Sequence, residues 1–134
     1  MKKINSDIIK LKIYYEDTDS AGIVYHSKYL NFAERGRTEY LKKANLSNSN
    51  VWEKYKIRFV VYKLTIDYIS FAKLEEILCV KTNILQISKV RIKFNQLIFC
   101  DKKKISNLLV DVCCINKYGK VARIPNDIYY KFIE

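Results

Sequence analysis

With 134 residues, 49% of them hydrophobic and 29% charged, the chain is long enough to bury one core and too apolar for a disordered segment, so a single domain over 1–134 is expected. No apolar run approaches the ~18–20 residues that cross a bilayer, and the basic start (Met1, Lys2, Lys3) leads into alternating Ile and Lys; no membrane span, no signal peptide and a cytoplasmic location are the expectations. The net charge of +11 invites a nucleic-acid partner, but it rests mostly on scattered lysine with little arginine, which favours a solvated surface or a phosphate-bearing ligand over RNA.

Residues 9–15 alternate apolar and polar (Ile9, Leu11, Ile13 and Tyr15 against Lys10 and Lys12), the period of a half-buried strand. From His26 to about Asn45 the period changes: Tyr29, Phe32, Ala33, Gly36, Tyr40, Leu41 and Ala44 recur at three- and four-residue spacing, which predicts an amphipathic helix. Glu34 and Arg35 read as structural groups on that helix. The Asn/Ser-rich stretch 45–50 predicts a loop, and residues 51–55 a short helix. Four strands follow at 59–68, 77–87, 90–100 and 105–116, all rich in β-branched and aromatic residues, with Leu108, Val110, Val112 and Cys114 on one face of the last. Residues 101–104 and 117–120 read as hairpin turns, and Pro125 opens a short closing helix through Phe132.

Cys79, Cys100, Cys113 and Cys114 contain no C-x-x-C pair, and the chain has one histidine, so buried reduced thiols are expected rather than a disulfide framework or a metal site. One strand, one long helix and four consecutive strands imply an α+β fold with a five-stranded antiparallel sheet. A single helix covers only part of such a sheet, so an edge or face is expected to meet a second copy.

The loop between the first strand and the helix reads Asp17-Thr18-Asp19-Ser20-Ala21-Gly22-Ile23-Val24-Tyr25-His26. A helix N-terminus offers unpaired N–H groups and a positive dipole end, which polarise a carbonyl oxygen and stabilise it as it becomes an oxyanion. A carboxylate across that site attacks the carbonyl carbon or deprotonates a water. Gly22 permits close backbone approach or positive φ. On residues alone, Asp19 as a turn residue and His26 as a helix cap stay open beside the catalytic reading. Asp17 reads as a hydrogen-bond acceptor that shapes the loop.

The stretch YYEDTDSAGIVYHSKYLNFAERGRTEYL, residues 14–41, resembles the signature of the 4-hydroxybenzoyl-CoA thioesterase family, and most of all its Tol-Pal-associated (YbgC-type) acyl-CoA thioesterase branch. The similarity continues through residues 59–82, 91–98 and 110–125 and so spans nearly the whole chain. It implies a hotdog fold, in which the antiparallel sheet wraps the long helix, and a homodimer joined edge to edge, commonly doubled into a homotetramer. It places the catalytic carboxylate on Asp19, the branch's histidine on His26, and the oxyanion donor on the backbone N–H of Tyr25 or His26. It brings Ser88, Lys89 and Arg91 to the turn where the family meets the CoA nucleotide, where a solvated hairpin is the plain alternative. The Tyr25 side chain either contacts the acyl group or packs at the dimer interface.

The function this implies is hydrolysis of acyl-CoA to free acid and CoA. Asp19 acts as nucleophile or general base, and His26 positions the substrate or assists proton transfer. No metal or redox cofactor is implied; CoA enters only as part of the substrate. An acyl carrier protein thioester is the alternative substrate. A basic RNA-binding module is a different class, opposed by the lack of an RNP-like aromatic motif. A hotdog scaffold that binds acyl-CoA without turnover is opposed by the intact Asp19 and His26.

Overall fold

The computed structural model describes residues 6–133; the N-terminal lysines behind the signal-peptide reading lie outside the described residues. Strand β1 (Asp7–Lys12) is followed by helices α1 (Lys28–Lys43) and α2 (Asn48–Tyr55), strands β2 (Ile57–Tyr68), β3 (Ile77–Ile87), β4 (Arg91–Cys100) and β5 (Lys103–Asn116), and helix α3 (Asn126–Phe132). The strands form one sheet in the order β1-β3-β4-β5-β2, and every neighbouring pair is antiparallel. The α+β order expected from periodicity is the one observed. Among the described residues no helix is long and apolar enough to cross a membrane.

Two differences from the sequence reading have local causes. The first strand stops at Lys12, and Tyr15, expected on its buried face, is 83% exposed at the start of a 3-10 turn, Tyr15–Asp17. The Asp17 carboxylate accepts the Tyr14 N–H at 2.9 Å and the Tyr15 carbonyl accepts the Thr18 N–H and hydroxyl, so side-chain capping outcompetes the ladder. Helix α2 begins at Asn48 rather than 51 because Ser47, read as loop, is its cap: Ser47 Oγ accepts the Asn50 N–H at 3.1 Å. Ser47→Ala should therefore cost about 1 kcal/mol. A shift in the urea midpoint with unchanged slope would register it, and an unmoved midpoint would show the cap to be dispensable.

Helix α1 lays Tyr29, Phe32, Ala33, Gly36, Tyr40 and Leu41 on the sheet, against Leu78 and Val80 of β3 and Ile92, Phe94 and Ile98 of β4. Leu108, Val110, Val112 and Cys114 of β5 form one buried face, as their alternation predicts. The closest approach is at Gly36, where a Cβ would stand 2.8 Å from Thr82 Oγ1 and Val80 Cγ1 and 2.9 Å from Gln96 Nε2. The Gln96 amide beneath it donates to the Ala33 carbonyl (2.7 Å) and Thr82 Oγ1 (2.9 Å) and accepts from Arg37 Nη1 (3.0 Å). All four cysteines are free; Cys113 and Cys114 are buried as expected, whereas Cys79 and Cys100 are only half-buried. Burial pushes the Cys114 thiol up to about 11.

Helix α1 packs mainly on β1, β3 and β4, and α2 packs on β2. Strand β2 is a sheet edge and exposes Val60, Val61 and Tyr62. An exposed edge strand of this kind offers unpaired backbone groups for pairing.

Candidate active site

The loop from Asp17 to His26 is a compact turn stapled to the rest of the fold. Thr18 bridges Val24, the Asp19 N–H donates to the Ile23 carbonyl at 2.9 Å, and the Gly22 N–H returns to the Asp19 carbonyl at 3.0 Å. Gly22 closes this turn at φ +78°, a conformation that favours glycine. Ile23 bridges Lys73 and the Val24 N–H donates to the Ala72 carbonyl, fixing the loop to the β2–β3 connection. The exposed Asp19 carboxylate accepts the Ala21 N–H through Oδ1 at 2.9 Å, and Oδ2 has no partner among the described residues.

Asp17 is buried, and its carbonyl accepts the Tyr25 N–H at 2.9 Å. That bond engages one of the two N–H groups expected to face a carbonyl oxygen. The other, on His26, has no hydrogen bond among the described residues and stands at the entry to α1. Its position is set from both sides. The Tyr25 carbonyl accepts the Lys28 N–H at 2.9 Å, and the His26 carbonyl accepts the Tyr68 hydroxyl at 3.0 Å. The Tyr68 ring meets Tyr29 edge-on at 5.8 Å, which holds the hydroxyl over the helix start. The His26 imidazole is exposed and lies 4.4 Å from the Tyr25 ring, which is itself 46% exposed. Tyr68 was not legible as a site residue: it lies 42 positions from His26 and reads as an ordinary strand aromatic.

Ser88, Lys89 and Arg91 lie together on the β3–β4 hairpin, at the other end of the sheet. Strand β3 starts beside the loop's anchor at Lys73 and runs 11 residues to Ile87, roughly 35 Å at about 3.3 Å per residue. Within one chain the two groups are therefore apart. Ser88 Oγ accepts the Arg91 N–H at 3.1 Å and shapes the hairpin. The Lys89 ammonium lies 4.9 Å over the Tyr129 ring, and the Arg91 guanidinium 5.2 Å over Tyr62. Arg91 borders a groove of about 640 Å³ with Lys63, Lys93, Ser88 and Tyr62; its one acid, Asp111, pairs with Lys93 at 3.8 Å. The groove is net positive, as an anionic ligand requires.

A free backbone amide at a helix start, with an exposed carboxylate on the same loop, suits addition to a carbonyl. The comparisons agree in kind. The family model of the thioesterase superfamily matches residues 21–106. Over 124 residues the chain is 40% identical to the acyl-CoA thioesterase YbgC of Haemophilus influenzae, covering 91% of this chain and 90% of that protein. It is 32% identical over 124 residues to the acyl-CoA thioester hydrolase YbgC of Escherichia coli O6:H1, covering 91% and 92%. The crystal structure of a probable thioesterase from Bartonella henselae superposes with a TM-score of 0.86 at 32% identity, covering 90% of this chain and 99% of that one. Fold and likeness together define a hotdog thioester hydrolase. The chain belongs to the thioesterase superfamily, in the branch of the YbgC thioesterases.

Proposed function

We propose that this chain hydrolyses acyl-CoA thioesters to free acid and CoA, as one hotdog domain acting in a site that two copies complete. The observation that carries the reading is the free His26 N–H at the start of α1, on the same loop as the exposed Asp19 carboxylate. The thioester carbonyl oxygen docks on that N–H, where the helix dipole favours developing negative charge. Asp19 Oδ2 then attacks the carbonyl carbon to give a transient anhydride that water cleaves, or takes the proton from a water that attacks in its place. Either way the C–S bond breaks and CoA leaves as a thiolate; a free thiol with pKa about 8.5 needs little acid help. The His26 imidazole holds the sulfur end and assists its protonation. This sequence of steps uses no metal or redox cofactor. Four free thiols are in keeping with a cytoplasmic location.

The open β2 edge supports the two-copy site. Antiparallel pairing of β2 with β2 of a second chain, centred near its middle, sets the Tyr68 end of one copy beside the Ile57 end of the other. Strand β2 joins β5 with Ile57 opposite Asn116, and β5 joins β4 with Cys113 opposite Arg91. The Ser88–Arg91 hairpin of one copy then approaches the Asp19 loop of the other. Lys89 and Arg91 would hold the nucleotide phosphates while Tyr25 flanks the acyl group.

Replacing both Lys89 and Arg91 by Gln should raise KM at least tenfold with kcat within about twofold, since binding lost away from the reacting centre leaves the chemical step alone. Free CoA should inhibit clearly at about 0.15 M salt, whereas an excess of short RNA should not; specific RNA affinity with no hydrolysis would reverse the assignment. The same basic hairpin favours a second reading, a thioester on an acidic acyl carrier protein, and a higher kcat/KM on that substrate than on acyl-CoA would select it.

A further inference from the structure

We propose that Arg37 and Glu34 form a reciprocal ion-pair lock between two copies of this chain, Arg37 of each reaching Glu34 of the other. The inference rests on the two-copy reading above and adds to it what fixes the pairing of the copies. Arg37 is 9% exposed, yet the only hydrogen bond its guanidinium makes among the described residues goes to the neutral Gln96 amide. No carboxylate pairs with it among the described residues. A buried cation without an anion is costly, and native proteins resolve it with a counter-charge. Burial also pulls the guanidinium below its usual value, with nearby Glu34 acting in the opposite sense without making a contact.

The place where the counter-charge is missing is specific. Arg37 lies on the wall of a groove of about 400 Å³ between α1 and β2, floored by Phe59, Val61, Phe94 and Val112. None of its nitrogens is both sealed from solvent and unpaired, so its unused donors keep contact with solvent, and Arg37 lines this groove. Glu34, exposed and three residues earlier, stands on the same wall. The apolar floor runs out to the open edge of the sheet, where Val61 is 46% exposed, so the occupant that continues this edge is a second copy. In a two-fold interface, contact of residue i with j implies contact of j with i. Antiparallel α1 helices across the dyad then present a Glu34 to each Arg37, covering the charge and filling the groove together.

The test exchanges charges between copies. Glu34→Arg opposes two arginines at each contact, and Arg37→Glu opposes two glutamates. Each variant alone should self-associate at least a hundredfold more weakly than the native chain in sedimentation. An equimolar mixture should recover association to within tenfold, because every contact then joins opposite charges. Should Arg37→Glu fail to fold by circular dichroism, Arg37→Gln takes its place in the mixture. It leaves one good and one neutral contact, so the mixture should still associate at least tenfold more tightly than Glu34→Arg alone. Native association with single variants unaffected, or no recovery on mixing, overturns the lock while leaving the β2 pairing in place. A native chain that stays monomeric at micromolar concentration removes the two-copy reading and the lock with it.

Discussion

Asp19→Asn should lower kcat on an acyl-CoA about a thousandfold while leaving the folded state essentially as stable as before. The asparagine is nearly isosteric and keeps an oxygen for the Ala21 N–H, so the turn that Gly22 closes is preserved. What it loses is the basic, nucleophilic Oδ2, and removing a positioned carboxylate of this kind typically costs two to four orders of magnitude. The side chain is exposed, so the unfolding midpoint should move by no more than about 0.5 kcal/mol. KM should change little if, as proposed above, substrate is held by the hairpin groove and the His26 amide rather than by Asp19. Steady-state kinetics beside a urea titration separates these quantities. Near-native kcat in the variant would remove Asp19 from the chemistry.

Gly36→Val should destabilise the fold by about 3 kcal/mol or more, a large share of the ~5–15 kcal/mol that holds a domain together. Glycine inside a helix ordinarily costs about 1 kcal/mol relative to alanine, so an exposed glycine here would be improved by substitution. At Gly36 the sign reverses, because a Cβ would lie 2.8 to 2.9 Å from three side-chain atoms of β3 and β4. Val80 is β-branched and stiff, and the Gln96 amide is held by three hydrogen bonds, so neither can yield without loss. Gly36→Ala should fall between, about 1 to 2 kcal/mol less stable than native. Calorimetry of the pair would settle the order; an alanine variant as stable as the native chain would show that the helix has room to lift.

The elements that repeat with a period were legible, and those set by single hydrogen bonds were not. Strand β3 follows from its β-branched and aromatic residues, the buried face of β5 from alternation, and α1 from its apolar stripe. Tyr15 fits the strand period yet sits outside, because Asp17 caps the turn through Tyr14, and no period encodes a cap. The Asp17–His26 loop could be read because its unusual residues lie side by side. Which amide it leaves free could not, since that depends on the Asp17 carbonyl engaging Tyr25. Tyr68 and Gln96 act on His26 and on Ala33 from 42 and 63 positions away, and each reads locally as one more strand residue. Likewise, the hairpin residues Ser88, Lys89 and Arg91 were found as a cluster, but their separation from Asp19 follows only from strand order.

The most direct test of the central claim is thiol release from a panel of acyl-CoAs, short to long and aliphatic to aromatic, by the purified native chain. Saturable turnover is expected on at least one member, well above the rate without protein and suppressed by free CoA. No release from any member, by a chain confirmed to be folded, would contradict it.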